Sequence, residues 1–131
     1  MELKSNLKVR TYECDSYNHV NNANYLHYLE YARFEFLKAV GFDYDKAIKS
    51  GYGTYVTRIE INYKRPAFTD DELEIRSKPI KKGAVSGVMA QEIWRGEEMI
   101  IDAKVTWAFV DSRGMPVKIP PEFDVPGMRP D

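Results

Sequence analysis

One stretch of the chain carries apolar residues at helical spacing: Leu26, Leu29, Ala32, Phe36, Leu37 and Val40. Residues that repeat every three or four positions line one side of a helix. The spacing predicts one long amphipathic helix over 23–40, closed by Gly41. Asn21 or Asn22 stands where the helix needs a cap, because an Asn side-chain oxygen accepts an early backbone N–H. A short helix or turn is predicted over 43–50.

Elsewhere the pattern repeats every two residues, as strands require. A weak alternation over 7–12 predicts a first strand. Over 55–63, Tyr55, Thr57, Ile59, Ile61 and Tyr63 share one face. Over 71–81, Leu73 and Ile75 oppose Glu72, Glu74 and Arg76. Over 99–110, Met99, Ile101, Ala103, Val105, Trp107 and Phe109 fall on one side. Segment 84–94 reads as apolar on both faces, which predicts that copies of the chain associate. Breaks at Arg65-Pro66, Lys82-Gly83, Arg95-Gly96 and Arg113-Gly114 separate the strands. Short breaks favour antiparallel pairing. The order is one strand, one long helix and four strands, an α+β pattern. A helix of about 27 Å can lie along strands of roughly 33 Å. The Pro-rich tail from about residue 116 cannot continue a sheet.

Length and composition narrow the classes. The chain has 131 residues, the size of one domain over 1–131. Nineteen basic against twenty acidic side chains give a net charge of −1, which disfavours a nucleic-acid partner. No apolar run reaches signal-peptide or membrane-helix length, so no membrane insertion is expected. A lone cysteine, Cys14, excludes an internal disulfide, and a cytoplasmic location is the expectation. Two histidines and one cysteine are too few for an ordinary zinc site, so no metal is expected.

The chemistry concentrates in Asp15-Ser16-Tyr17-Asn18-His19-Val20-Asn21-Asn22. A carboxylate, an imidazole and three amides stand just before a helix. The first N–H groups of a helix lack internal partners and carry partial positive charge. Donors of that kind beside a carboxylate suit attack on a carbonyl carbon. The same residue types are also what a capping loop uses, and both readings remain open at this point. Cys14 lies between two carboxylates that disfavour a thiolate, so it is not taken as a nucleophile.

The run Cys-Asp-Ser-Tyr-Asn-His-Val-Asn-Asn-Ala-Asn-Tyr-Leu-His-Tyr-Leu-Glu-Tyr-Ala-Arg, residues 14–33, resembles the signature of hotdog-fold thioesterases. It is similar in particular to the 4-hydroxybenzoyl-CoA thioesterase family. The His-Val-Asn-Asn piece resembles plant and bacterial acyl-ACP thioesterases. The resemblance covers roughly residues 5–120 and includes Ile61-Asn62-Tyr63-Lys64-Arg65-Pro66 and Val110-Asp111-Ser112-Arg113-Gly114-Met115-Pro116.

That resemblance implies a hotdog fold, a long central helix wrapped by a five-stranded antiparallel sheet. It implies an acyl-CoA thioesterase in which Asp15 is the base or nucleophile. It implies that Asn22 supplies the backbone N–H that polarises the thioester carbonyl, with His19 and Asn18 assisting. It implies an acyl-CoA substrate, no metal or redox cofactor, and subunits joined edge to edge as dimers or tetramers. Coenzyme A phosphates want cations. Lys81, Lys82 and Ser86 at one turn, with Arg65 at another, are candidates to meet them, although solvated turn charge is the more ordinary explanation. The Tyr25, Tyr28 and Tyr31 series reads as packing, with Tyr25 kept as a candidate lining of the acyl pocket. Two other readings stand beside this: an acyl-ACP thioesterase, and a non-catalytic acyl-CoA-binding module on the same fold.

Overall fold

A computed structural model describes residues 1–131. Strand β1 (Leu3–Lys8) precedes helix α1 (Asn22–Ala39) and the short helix α2 (Tyr44–Lys49). Four strands follow: β2 (Gly53–Tyr63), β3 (Glu72–Lys82), β4 (Ser86–Arg95) and β5 (Glu98–Val110). They form one antiparallel sheet in the order β1-β3-β4-β5-β2. The sheet wraps α1, which is the expected hotdog arrangement. No helix is long and apolar enough to cross a membrane.

Helix α1 begins where Asn21 Oδ1 accepts the Ala23 N–H at 2.9 Å. It ends at Val40, and Gly41 follows with φ +84°, a left-handed turn that suits glycine. There the Phe42 N–H donates to the Leu37 carbonyl at 2.9 Å. The buried face is Tyr25, Tyr28, Leu29, Ala32 and Phe36. Leu26, expected inside, is exposed. Counting only aliphatic residues misses tyrosines, whose rings bury well once the hydroxyl finds a partner. Tyr25 Oη accepts the Ala67 N–H at 2.9 Å, and Tyr28 Oη donates to Glu13 at 3.0 Å.

The first strand also differs from expectation. It occupies Leu3–Lys8 rather than 7–12, and Thr11–Glu13 forms a 3₁₀ turn. The turn closes as the Arg10 N–H donates to the Glu13 carboxylate at 2.7 Å. The inward residue at the centre of β1 is a serine, Ser5, so the alternation carries little apolar signal.

Segment 84–94 is not apolar on both faces. In β4, Gly87, Met89, Gln91 and Ile93 are buried, while the alternate residues are half-buried. On that other face Trp94 donates to Glu92 at 3.1 Å, and the Arg76 guanidinium covers the Trp94 ring at 4.3 Å. The open apolar surface lies on β2 instead. It is an edge strand paired with β5 alone, and Tyr55, Val56 and Tyr63 are exposed.

The core has two parts. One lies between α1 and the sheet and includes Leu29, Phe36's neighbour Ala32, Leu73, Ile75, Ile93 and Ile101. The other gathers Phe42, Ala47, Phe109, Ile119, Phe123 and Met128. The Pro-rich tail therefore adds no strand but fills the second part. Close packing beside it is set by Gly87. A methyl group there would sit 2.7 Å from the Trp107 ring and 3.0 Å from the Lys81 carbonyl. Gly87→Ala is expected to cost about 1–3 kcal/mol of stability through overpacking. Urea denaturation measures it, and an unchanged midpoint would contradict the packing described.

Candidate active site

The segment before α1 folds into a small hairpin. The Asp15 N–H donates to the His19 carbonyl at 2.8 Å, and the Asn18 N–H to the Asp15 carbonyl at 3.0 Å. Cys14 bridges Val20, and the Asn21 N–H donates to the Glu13 carbonyl at 2.9 Å. Asn18 makes the reversal possible with φ +63°, which Asn tolerates better than most residues. Its second limb runs directly into α1. Asn24 ties the helix back to the first limb through Nδ2 and the Glu13 carbonyl, 2.8 Å.

Asp15 is exposed, and its two oxygens differ. Oδ1 accepts from the Tyr17 N–H at 2.9 Å and the His19 N–H at 3.3 Å. Oδ2 has no partner in the chain. Asp15 does not cap the helix, since Asn21 does. In the first turn of α1, the Ala23 N–H goes to Asn21 Oδ1 and the Asn24 N–H to the Asn21 carbonyl. The Asn22 N–H has no acceptor within the chain. The hairpin thus carries one free carboxylate oxygen, and the helix it leads into starts with one free N–H. A carbonyl group held between them would meet a base or nucleophile on one side and a donor on the other.

The other residues singled out from sequence separate into groups. The His19 ring packs edge-on to Phe68 at 5.1 Å and makes no hydrogen bond to Asp15. It is the His19 backbone, not the imidazole, that steadies the carboxylate. Asn18 Oδ1 accepts from Thr69 Oγ1 at 3.1 Å, which joins the hairpin to the β2–β3 loop. Tyr25 is corrected from pocket lining to core. It is 4% exposed, and its hydroxyl is taken by Ala67, so it offers no face to an acyl chain. Burial raises its pKa.

Among the basic candidates, Arg65 lies near the hairpin, on the loop that carries Phe68, and approaches Glu98 at 3.6 Å. Lys81, Lys82 and Ser86 lie at the far end of β3 and β4, about 33 Å of strand away. Lys82 is corrected as a free phosphate ligand. Its side chain is 6% exposed, with Nζ 3.1 Å from Asp124 Oδ1 and 2.8 Å from the Gly83 carbonyl. No group of three or more His, Cys, Asp or Glu side chains comes together as a metal site.

Residues that the sequence did not mark also build the site. Tyr63, at the end of β2, donates toward the Asn22 carbonyl at 3.4 Å and packs on Tyr25. Thr69 contacts both Asn18 and Cys14. These contacts join segments some 40 to 55 residues apart, and no local pattern announces them. Between α1 and β2 a groove opens, bordered by Glu30, Arg33, Thr54 and Val56. Beneath it lies a small apolar pocket lined by Leu37, Met89, Trp107 and Met128.

Comparison with known proteins bears on this geometry. The model of the thioesterase-like superfamily matches residues 9–126. The long-chain acyl-CoA thioesterase FadM of Escherichia coli is 37% identical over 112 residues, covering 83% of each chain. A chloroplastic acyl-acyl carrier protein thioesterase of Arabidopsis thaliana is 30% identical over 87% of this chain. This chain spans 61% of the length of that plant relative. Among solved structures, a probable thioesterase from Bartonella henselae superposes with a TM-score of 0.87 at 29% identity. The match covers 92% of this chain and all of that one.

Proposed function

Because the chain belongs to the thioesterase-like superfamily, we propose that it hydrolyses an acyl-CoA thioester to a free acid and CoA, with residues 1–131 acting as one catalytic domain. The observation that carries this reading is a free Asp15 Oδ2 on the hairpin that leads straight into the unpartnered Asn22 N–H at the start of α1.

Asp15 acts on the thioester carbon through Oδ2. As a base it takes a proton from the attacking water. As a nucleophile it forms a mixed anhydride that water then opens. In either route the carbonyl oxygen gains negative charge toward the Asn22 N–H, and the thiolate of CoA leaves. A thiolate leaves readily, so no strong general acid is required. His19 positions the hairpin through its backbone and shields it through Phe68. Asn18 holds the same hairpin to Thr69.

The acyl tail follows the groove between α1 and β2 bordered by Glu30, Arg33, Thr54 and Val56. Arg65, on the loop that carries Phe68, is the candidate to meet a CoA phosphate from the same chain. Lys81 and Ser86 serve only if a second copy turns its far end toward this hairpin. The proposal therefore includes a homodimer joined along the exposed edge of β2, with a homotetramer above it and a cytoplasmic location. A second reading, hydrolysis of acyl groups on a carrier protein, is favoured by the similarity to the plant enzyme.

A thiol-release assay with acyl-CoAs of graded length, and with the same acyl groups on carrier protein, tests the reading. Release from at least one long-chain acyl-CoA well above the enzyme-free rate is expected. Tight acyl-CoA binding with no release would instead make the chain a binding module.

A further inference from the structure

The groove between α1 and β2 and the apolar pocket beneath it share Tyr44, Thr54 and Val56, so the pocket lies at the foot of the groove. Its walls include Leu37 of α1, Met89 of β4 and Trp107 of β5. Met128 lines it too, and Met128 belongs to neither helix nor sheet but to the tail. The cavity measures about 50 Å³. A water needs roughly 10–15 Å³, so the space holds a few heavy atoms and not a whole acyl chain. Cavities with apolar linings stay dry and take apolar guests.

The tail is fixed on both sides of Met128. Asp124 Oδ1 lies 3.1 Å from the buried Lys82 Nζ, and its Oδ2 accepts from Arg129 Nη2 at 3.1 Å. The Met128 N–H donates to the Val125 carbonyl at 3.1 Å, within the 3₁₀ turn Pro126–Met128. Gly127 lets that turn press against the end of α1. A methyl group there would sit 2.5 Å from the Val40 side chain. Met128 is left 4% exposed, against the pocket.

Length ties this pocket to the hairpin. Leu37 stands fifteen positions after Asn22, the first residue of α1. That is roughly 22 Å of helix. With C–C bonds near 1.5 Å an extended alkyl chain covers about 1.3 Å per carbon, so the span takes roughly 16–18 carbons. We propose that Met128 is the floor of the acyl site, against which the last carbons of such a chain stop, and that it thereby sets the longest acyl group the chain accepts. This rests on the acyl-CoA reading of the same site and adds to it the residue that limits length.

Met128→Ala and Met128→Phe test it on a series of saturated acyl-CoAs. The optimum of kcat/KM moves to chains about two carbons longer in Met128→Ala and to shorter chains in Met128→Phe, with about a tenfold or larger change at the lengths gained or lost. A Met128 that only supports the fold predicts the same loss at every length in both variants, and that result overturns the proposal. If neither variant folds by circular dichroism, fluorescence decides. Trp94→Phe leaves Trp107 as the one tryptophan, and Trp94 stands under Arg76 on the far face of the sheet. The probe is a non-hydrolysable S-alkyl-CoA thioether of about 16 carbons. Bromine on its last carbon quenches Trp107 emission, and bromine beside the sulfur does not. Equal quenching by the two, or none by the terminal bromine at saturating probe, overturns the floor. Thiol release with unshifted length profiles overturns the floor alone. A wild-type chain that releases no thiol from any acyl-CoA overturns the functional reading and the floor together.

Discussion

Asp15→Asn is expected to lower kcat by about 10²–10⁴-fold, the range for losing a positioned acid–base group. The melting temperature should hardly move. An Asn side-chain oxygen can still accept from the Tyr17 and His19 N–H groups, so the hairpin keeps its internal bonds. What disappears is the charge and the basicity of Oδ2. Loop capping as the sole role of Asp15 predicts the reverse, a lowered melting temperature with near-normal turnover per folded molecule. Measuring both quantities separates the two, and a near-normal kcat on a cleavable acyl-CoA ends the catalytic role. His19→Ala should lose less, because its ring touches Phe68 rather than the carboxylate. Asn22→Ala should be mild, because the donor there is backbone.

The largest stability effect is expected at Phe123→Ala, about 3–5 kcal/mol. Phe123 is 1% exposed and lies within 6.1 Å of the Phe42 and Phe109 rings, centroid to centroid. Tyr52 packs on it at 5.9 Å. Truncation opens a cavity where three segments distant in sequence meet. Urea denaturation of wild type and variant gives the difference directly. A loss below about 1 kcal/mol would mean that the tail only drapes over the surface.

How much of this is legible in the sequence depends on the range of the forces involved. Helix α1 is legible because its signals are local: the Asn21 cap, apolar spacing and Gly41. The direction of its buried face is less so, because Tyr25 and Tyr28 bury only by virtue of Ala67 and Glu13, far along or outside the helix. Strand β1 is shifted from its expected place because its inward residue is Ser5. The tail shows prolines, which exclude a strand, but nothing in 116–131 reveals that Phe123 has aromatic neighbours waiting. At the site, the importance of residues 15–22 is plain from their chemistry. That Oδ1 of Asp15 is spent on its own loop, or that Lys82 is held by Asp124, depends on backbone reversal and tail docking that no spacing encodes.

The strand order has a consequence for how the chain is made. Both edge strands, β1 and β2, leave the ribosome before any of the three strands that separate them in the sheet. Strand β1 waits for β3, and β2 waits for β5, the last to be made. A nascent chain that ends near Asp71 holds two helices and two strands with no hydrogen-bonding partner. Strands β3, β4 and β5 are then synthesised as a meander of adjacent hairpins, the least costly contacts to form. Folding should therefore start in the second half of the chain and draw the first half in. During that interval the apolar edge of β2 is bare, so slow synthesis or crowding of nascent chains favours aggregation over folding.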